Sequence, residues 1–302
     1  MSTLEPTQPP PSQNVPRRTL GRTGVSVPIL GFGTAPCGIR RGIAQGVEIY
    51  NAAIDAGVNY LDTAPPETGY GRAQAQLGHV LKDRRKDVFL VTKCHTADAD
   101  TARRMLDKNL KELQTDQADL VYVHSLGDLS PTQVMGKNGI LRGLVKARDE
   151  GKLRFIGLSG HSRPARFTRV LNSEWADEIT VCMNSVNFAD RHTYNFEKRV
   201  WTLAAKKKTA LVAMKVFGGM IYSDKGMSNS MMPTEHHDQA FRYALSLPNV
   251  SLAVIGMATM EELRQNIARA RRFSPMSQSE MNHLYTPGKQ LARKWGAHYG
   301  PV

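Results

Sequence analysis

The sequence is poor in cysteine, with only Cys37, Cys94 and Cys182 among its 302 residues. No two of them form a CxxC pair, which argues against an iron–sulfur or zinc site. A sparse, odd set of cysteines is typical of the reducing cytoplasm. We therefore predict a cytoplasmic protein without a bound metal.

Long apolar runs are also missing. No stretch of eighteen apolar residues occurs, so the sequence predicts no helix that crosses a membrane. Residues 1–16, MSTLEPTQPPPSQNVP, have no apolar stretch behind a basic one and do not resemble a secretory signal. Their Pro, Ser, Thr and Gln content instead predicts a disordered N-terminal tail.

Acidic residues are the minority, because 40 Lys and Arg face 27 Asp and Glu, a net charge of +13. Such a charge favours anionic partners: nucleic acid, anionic lipid or a phosphate-bearing cofactor. The basic residues are dispersed, however, and no basic motif is interleaved with aromatic residues. We therefore expect neither a nucleic-acid nor a membrane partner.

What the sequence does contain is eight short apolar runs. They cover residues 27–33, 58–62, 87–93, 119–124, 154–160, 178–184, 210–215 and 251–256. Several are almost continuously apolar, as expected for strands that are covered on both faces. The intervals repeat apolar residues at helical spacing. Eight alternating strands and helices predict a (β/α)8 TIM barrel in a single domain.

Local signals agree with this α/β interpretation. Gly57 and Gly151 are placed as helix stops, and Pro164 as a first-turn residue. GRTG at 21–24 predicts a small hairpin below the barrel. The rival fold, a doubly wound open sheet, requires a GxGxxG turn after its first strand, and GFGTAPCG at 31–38 lacks that spacing.

Polar residues end six successive runs. In a barrel, active sites lie at the C-terminal ends of the strands. The six residues are Asp62, Lys93, His124, Ser159, Asn184 and Lys215. Any one of them alone would be compatible with a turn cap or a solvated side chain. Three titratable types at three successive strand ends exceed what barrel packing requires, and we interpret them as one functional site.

These residue types suit proton transfer to a developing alkoxide. A buried Asp beside a buried Lys keeps the ammonium charged, and a charged Lys lowers the pKa of a nearby phenol. An imidazole can donate to a carbonyl oxygen. The set contains no obvious nucleophile or metal cage, and no residue can supply a hydride. A nicotinamide cofactor is therefore implied.

Several stretches resemble the aldo-keto reductase family over residues 17–285. They include RTLGRTGVSVPILGFGTA, AIDAGVNYLDTA, YGRAQAQLGHVL, DVFLVTK, DLVYVHSL, GKLRFIGLSGH and VIGMATMEELRQNIARA. The segments GLSGH, AMKVFGG and NFADRHTYNFEKRV resemble a bacterial-type subgroup. Some of its members carry a C-terminal ferredoxin-like segment, but the tail here has no Cys. The resemblance implies one barrel over 17–302 with a C-terminal loop and tail.

Carried over by position, the resemblance implies a catalytic tetrad. Tyr70 would be the proton donor, Lys93 would tune it, Asp62 would pair with Lys93, and His124 would orient the carbonyl. The family separates its Asp and Tyr by five positions, whereas here the separation is eight. Either the enlarged loop bulges outward or Tyr70 is displaced. We expect the bulge, because YGRAQAQLG matches the next helix of the family.

For the cofactor, the resemblance implies a set of contacts and several departures. The implied contacts are Thr34, Ser159, Asn184, Lys215, Gly256 and Asn266. The family's Ser-Asn pair reads Ser159-Gly160 here, and its Gln falls on Asn184 or, with a one-residue slip, on Met183. The aromatic residue that stacks on the nicotinamide falls near Met214.

The residues expected to read a 2′-phosphate also depart from the family. Its lysine and arginine fall on Gly256 and Glu262, and Arg264 is the nearest possible substitute. The family favours NADP(H), and these substitutions weaken that preference. We therefore expect NADP(H) to be only slightly favoured over NAD(H).

Two functions remain open at this stage. The first is a nicotinamide-dependent reductase of a small-molecule aldehyde or ketone. The alternative is a regulatory or sensing barrel that binds cofactor with little turnover, as in the potassium-channel β subunits. A phosphate-binding isomerase is disfavoured because no Gly-rich loop follows the late strands. The carbonyl substrate, whose recognition we place in loops 126–139 and 218–237 and the tail beyond 285, and the oligomeric state stay open.

Overall fold

The computed structural model describes residues 14–219, 221–223, 226–228 and 230–302. Most of the predicted tail, residues 1–13, lies outside the described residues, as do four positions of the 218–237 loop. At the end of the predicted tail, Val15 is buried, and the carbonyl of Pro16 accepts a hydrogen bond of 2.9 Å from the Ile29 amide. Within the described ranges, no helix is long and apolar enough to span a bilayer.

The described residues form twelve strands and twelve α-helices, joined by short turns. The strands are β1 Arg17–Thr19, β2 Ser26–Pro28, β3 Leu30–Gly33, β4 Tyr60–Asp62, β5 Phe89–Cys94, β6 Ala118–Val123, β7 Leu153–Gly160, β8 Ile179–Ser185, β9 Ala210–Met214, β10 Ile221–Ser223, β11 Gly226–Ser228 and β12 Val250–Gly256. The helices are α1 Ala35–Arg40, α2 Ile43–Asp55, α3 Ala73–Arg84, α4 Ala99–Glu112, α5 Pro131–Val134, α6 Ile140–Asp149, α7 Pro164–Leu171, α8 Thr202–Lys206, α9 His237–Ser246, α10 Met260–Arg271, α11 Gln278–His283 and α12 Tyr285–Trp295.

Eight of the strands close into a parallel barrel in the order β12-β3-β4-β5-β6-β7-β8-β9. This confirms the predicted (β/α)8 barrel, with one strand in each apolar run. The first run is divided, however. Val27 and Pro28 at its start belong to β2, which pairs antiparallel with β1, and only Leu30–Gly33 joins the barrel. Pro28 has no amide hydrogen to donate, so a central ladder cannot pass through it.

The β1–β2 hairpin closes the bottom of the barrel, as the GRTG turn predicts. Gly24 adopts a left-handed conformation with φ of +71°. Leu20 and Val27 pack into the same apolar cluster as the barrel interior. The Arg22 guanidinium donates to four backbone carbonyls from the neighbouring bottom loops, those of Ala176, Asp177, Ile179 and Lys207. The bottom is thus sealed by packing and hydrogen bonds.

Strand residues alternate between the barrel interior and the layer beneath the helices. Val181 and Met183 of β8 face inward, whereas Cys182 between them packs in the outer core. The predicted start and end residues of the helices are confirmed as well. Gly57 and Gly151 lie just past α2 and α6 with φ of +85° and +79°, and Pro164 begins α7. Left-handed residues at these positions satisfy the last carbonyls of a helix.

Candidate active site

Three adjacent strands bring the predicted titratable residues to one edge of the barrel. β4 ends at Asp62, Lys93 is the penultimate residue of β5, and His124 directly follows β6. β4 pairs with β5 and β5 with β6. Because parallel neighbouring strands present their C-terminal ends together, these side chains meet at the upper mouth.

Lys93 is the centre of this group. Its Nζ donates to Asp62 Oδ2 at 2.7 Å, to the Thr63 carbonyl at 2.8 Å and to the Tyr70 hydroxyl at 3.1 Å. The side chain is 1% exposed, and that of Asp62 is 4% exposed. All three protons of the ammonium therefore have an oxygen partner, and one of those partners is the phenol.

The enlarged loop does not displace Tyr70. Pro66–Thr68 form one 3₁₀ turn, and the Thr68 hydroxyl donates to the Pro65 carbonyl. The Glu67 carboxylate forms an ion pair with Lys108 of α4. The extra residues therefore bulge outward, which is the first of the two alternatives left open by the sequence.

A close backbone contact sets the position of Tyr70. A Cβ added to Gly38 of α1 would lie 2.2 Å from the Tyr70 carbonyl oxygen and 2.6 Å from Ala73 N. Gly71 has φ of +55°, and a Cβ there would lie 2.6 Å from the Gly38 carbonyl oxygen. Two glycines thus let α1 and the Tyr70 loop touch through their backbones.

The ionisation of the group follows from its burial. Burial lowers the pKa of Lys93, but Asp62 and Tyr70 together raise it by more, so its pKa lies above the usual value. Burial raises the pKa of Tyr70, and Asp62 acts in the same direction, against the lowering effect of Lys93. The predicted lowering effect of Lys93 is present, but desolvation outweighs it, so the pKa of Tyr70 lies above its usual value.

His124 is held as a neutral imidazole. Burial is the main cause that lowers its pKa well below the usual range, and Lys93, His161, His95 and Lys215 act in the same direction. Its ring centroid lies 6.3 Å from that of Tyr70. Its buried Nδ1 has no hydrogen-bond partner within the part of the chain that the structure describes. A neutral imidazole can donate one hydrogen bond to a ligand oxygen.

A cavity of about 460 Å³ opens above these residues. Its described wall divides into two halves. The ends of β4 to β7 and the loops that follow them contribute Asp62, Glu67, Thr68, Gly69, Tyr70, Lys93, His95, His124, Ser125, Ser159 and His161, all polar apart from one glycine. The apolar half is formed by the ends of β8, β9, β12 and β3 and the segments that follow them. It comprises Met183, Met214, Lys215, Val216, Phe217, Gly219, Val254, Ile255, Gly256, Gly33, Ala35 and Pro36, of which Lys215 alone is charged.

Not all predicted cofactor residues reach this cavity. Ser159, Lys215 and Gly256 line it. Thr34 is buried behind it, where its amide and hydroxyl both donate to the Asp62 carbonyl. Asn266 lies within α10 and donates to the Glu262 carbonyl.

Asn184 also points away from the cavity, as the period of β8 requires. Its Oδ1 accepts a hydrogen bond of 3.0 Å from Trp201 Nε1, and its Nδ2 donates to the Gly160 carbonyl. Met183 lines the cavity instead. Alternation along a strand places neighbouring residues on opposite faces, so the one-residue slip considered above is the register that faces the cavity.

Three lining residues were missed in the sequence. His95 and His161 each lie just beyond a strand end, two positions after Lys93 and Ser159. Burial lowers the pKa of His161 well below its usual range, with Lys215 as the next cause. Phe217 brings an aromatic ring to the wall three residues after Met214. Extending the search for polar and aromatic residues past each run would have found all three.

Comparison with known proteins decides what this barrel is. The sequence profile of the Aldo/keto reductase family matches residues 30–240, well over half of the chain. The chain belongs to the aldo/keto reductase family. The resemblance to this family that the sequence motifs indicate is thereby confirmed. The protein is a nicotinamide-dependent oxidoreductase that acts on carbonyl groups of small molecules.

The relatives of this aldo/keto reductase are distant in sequence, but they match it over most of their length. L-galactose dehydrogenase of Arabidopsis thaliana is 26% identical, over 93% of the chain and 98% of that protein. Pyridoxal 4-dehydrogenase of Microbacterium luteolum is 24% identical, over 83% and 92%. An aldo/keto reductase from Klebsiella pneumoniae, solved with NADP and acetate, has a TM-score of 0.71 at 20% identity, over 92% and 96%. That last likeness establishes the shared fold.

The contact between Gly38 and Tyr70 generates a first prediction for this aldo/keto reductase. In Gly38→Ala, the new methyl group should push the Tyr70 loop away, because the Tyr70 carbonyl lies within its radius. A displacement of about 1 Å can cost roughly 100-fold in rate. We expect kcat/KM for aldehyde reduction to fall by roughly that factor, with the dissociation constant of the cofactor unchanged.

Gly42→Ala is the matched control, because no atom of the described residues, apart from those next to it in the chain, lies within 4 Å of an added Cβ there. Equal activity of the two variants would show that the Gly38 contact does not set the position of the phenol.

Proposed function

We propose that this protein reduces a small, hydrophilic aldehyde or ketone, with Tyr70 as the proton donor. One observation carries the proposal: the Tyr70 hydroxyl lies 3.1 Å from Lys93 Nζ and lines the cavity. A phenol whose pKa is raised by burial is protonated at neutral pH. It therefore holds the proton that an alkoxide would accept as the carbonyl is reduced.

Lys93 and Asp62 position the donor and steady its charge. The ammonium fixes the phenol oxygen by a hydrogen bond and stabilises the phenolate that forms when the proton leaves. Asp62 keeps the ammonium charged through a 2.7 Å ion pair. Burial alone would favour the neutral amine, so the carboxylate is needed for Lys93 to act as a cation.

His124 is proposed to orient the substrate carbonyl. Its pKa lies well below the usual range, so it donates as a neutral imidazole rather than as an acid. Its ring stands at an angle of 73° to that of Tyr70. A carbonyl oxygen between the two side chains would accept one hydrogen bond from each.

The apolar half of the cavity fits a nicotinamide cofactor. When bound, that cofactor supplies the hydride that no side chain can provide. Lys215 is the charged residue of this half, and burial, followed by Lys93, lowers its pKa. A half-buried cation facing a cavity is stabilised by an anionic ligand, and we propose that Lys215 contacts the pyrophosphate. Ser159 and Gly256, also in the wall, are proposed cofactor contacts.

Two departures from the family favour the sensing-barrel alternative: the enlarged tetrad loop and the altered cofactor contacts. The contact between Tyr70 and Lys93 argues against the first of them.

Tyr70→Phe tests the proton donor. The variant should lose roughly 10²- to 10⁴-fold in kcat, the usual contribution of general acid catalysis, and bind cofactor normally. The measurement is steady-state oxidation of the reduced cofactor with an aldehyde, together with a cofactor titration by fluorescence. Full turnover in this variant would exclude Tyr70 as the acid.

Lys93→Met tests the coupling between lysine and phenol. Lys93 lowers the pKa of Tyr70, so its removal should raise that pKa further. The pH at which residual reduction falls on the alkaline side should therefore move upward. The control is Lys111→Met, the same change at an exposed position of α4. An alkaline limb that stays in place in Lys93→Met would contradict the assignment.

The polar half of the wall indicates the class of substrate. This half of the wall contains Thr68, His95 and Ser125 beside Tyr70, and none of its described residues has an aliphatic side chain. Hydroxyl groups next to the carbonyl would find donors and acceptors in this half, whereas a hydrocarbon chain would leave them unpaired. The substrates named for the two relatives, L-galactose and pyridoxal, carry polar groups of this kind.

We therefore expect kcat/KM for glyceraldehyde to exceed that for propanal, which has the same carbon chain, by roughly tenfold, the effect of one or two hydrogen bonds. In His95→Phe, the value for glyceraldehyde should fall while that for propanal is retained. His79→Phe, at an exposed position of α3 outside the cavity wall, is the control. A preference for propanal in the wild-type protein would refute the proposed substrate class.

A further inference from the structure

A carboxylate of the chain itself occupies the N-terminus of α10. Glu262 Oε2 accepts hydrogen bonds from the Ala258 amide at 2.5 Å and the Thr259 amide at 3.2 Å. The Thr259 hydroxyl accepts one from the Glu262 amide at 3.0 Å, which completes a capping box. The positive end of a helix of twelve residues is thereby neutralised internally.

An arginine of α1 faces the same carboxylate. Arg40 Nη1 lies 3.6 Å from Glu262 Oε1, and each side chain is 31% exposed. The next residue, Arg41, donates through Nε to the Ala258 carbonyl at 2.6 Å. Two backbone amides, a helix N-terminus and a guanidinium are the donors that proteins use to hold a phosphate. Here they hold Glu262.

This donor set lies beside the apolar half of the cavity. Pro36 and Gly256 line that half, Arg40 follows Pro36 by one turn of α1, and Ala258 follows Gly256 by two residues. If the nicotinamide lies in the apolar half, the rest of the dinucleotide can pass over this edge, where Arg40 and Glu262 follow the lining residues in the chain.

Gly256, where the resemblance places the family's lysine, offers no cation to a 2′-phosphate. A Cβ at Gly256 would lie 2.7 Å from Pro36 Cγ, so the position has no room for a side chain. Arg264, the nearest other cation of α10, is exposed to solvent. A 2′-phosphate at this edge would therefore meet the charge of Glu262 before it could reach Arg40 or the helix amides.

We infer that Glu262 sets the choice of cofactor. It acts as a built-in anion in the place of a 2′-phosphate, so the protein binds NAD(H) at least as tightly as NADP(H). The slight preference for NADP(H) that the resemblance implied is thereby reversed. This inference rests on the proposed use of the cavity by a nicotinamide cofactor.

The test is a binding titration of NADH and NADPH, followed by cofactor fluorescence at equal ionic strength and without substrate. Glu262→Gln keeps the oxygen that caps α10 and removes the charge. We expect it to strengthen NADPH binding by roughly tenfold, about what one charge-assisted contact contributes, and to change NADH binding by less than about twofold. Adenosine 2′,5′-bisphosphate should gain in the same way, and adenosine 5′-monophosphate should not.

Glu261→Gln is the matched control, because it makes the same change in charge one residue away, at an exposed carboxylate that contacts Gln265. Its ratio of NADH to NADPH affinity should equal that of the wild type. Arg40→Met added to Glu262→Gln should remove the gain for NADPH, because Arg40 is then the cation that would hold the phosphate. The thermal midpoint of each variant reports whether α10 is still capped.

Two results would overturn the inference: a wild-type protein that binds NADPH much more tightly than NADH, or a Glu262→Gln variant, with an unchanged thermal midpoint, whose affinity ratio equals that of Glu261→Gln. A preference for NADPH that is lost in Arg264→Ala would identify Arg264 as the reader of the phosphate instead. If the wild type bound neither cofactor, the proposed function itself would fail, which is distinct from the other results because it affects NADH as well.

Discussion

The site depends on one buried ion pair, between Asp62 and Lys93. Both side chains are almost completely removed from solvent, and neither charge would be stable there alone. The pair therefore requires β4 and β5 to lie side by side in the register that the barrel imposes. Once it is formed, Lys93 donates its third proton to Tyr70, and this bond orients the phenol that the Gly38 contact brings into position.

The electrostatics of the cavity follow from this pair. The charges of Asp62 and Lys93 cancel each other, and Glu67 forms an ion pair with Lys108 at the rim. Lys215 remains as a positive charge in the opposite wall. The three imidazoles add donors and acceptors without adding charge where their pKa is lowered, as for His124 and His161. The cavity is thus prepared for electron-rich ligands: an anionic group on one side and a polarised carbonyl on the other.

The sequence predicts the barrel and its strand ends well, because covered parallel strands leave apolar runs that stop at polar residues. Asp62, Lys93 and His124 are found in this way. Other features depend on geometry that no pattern carries. The direction of Asn184 depends on the register of β8, and the phenol pKa depends on how far burial outweighs one ammonium. The role of Glu262 depends on Arg40, which is more than two hundred positions away in the chain.

The hairpin beneath the barrel affects the order in which ligands bind and leave. Leu20, Val27 and the carbonyl contacts of Arg22 close the lower end, so, among the residues that the structure describes, the cavity faces solvent at its upper mouth. Two ligands that enter through the same opening cannot exchange independently. Whichever of them lies deeper must arrive first and depart last, so an obligatory sequence of binding and release would arise from the architecture of the barrel rather than from the affinities of the ligands.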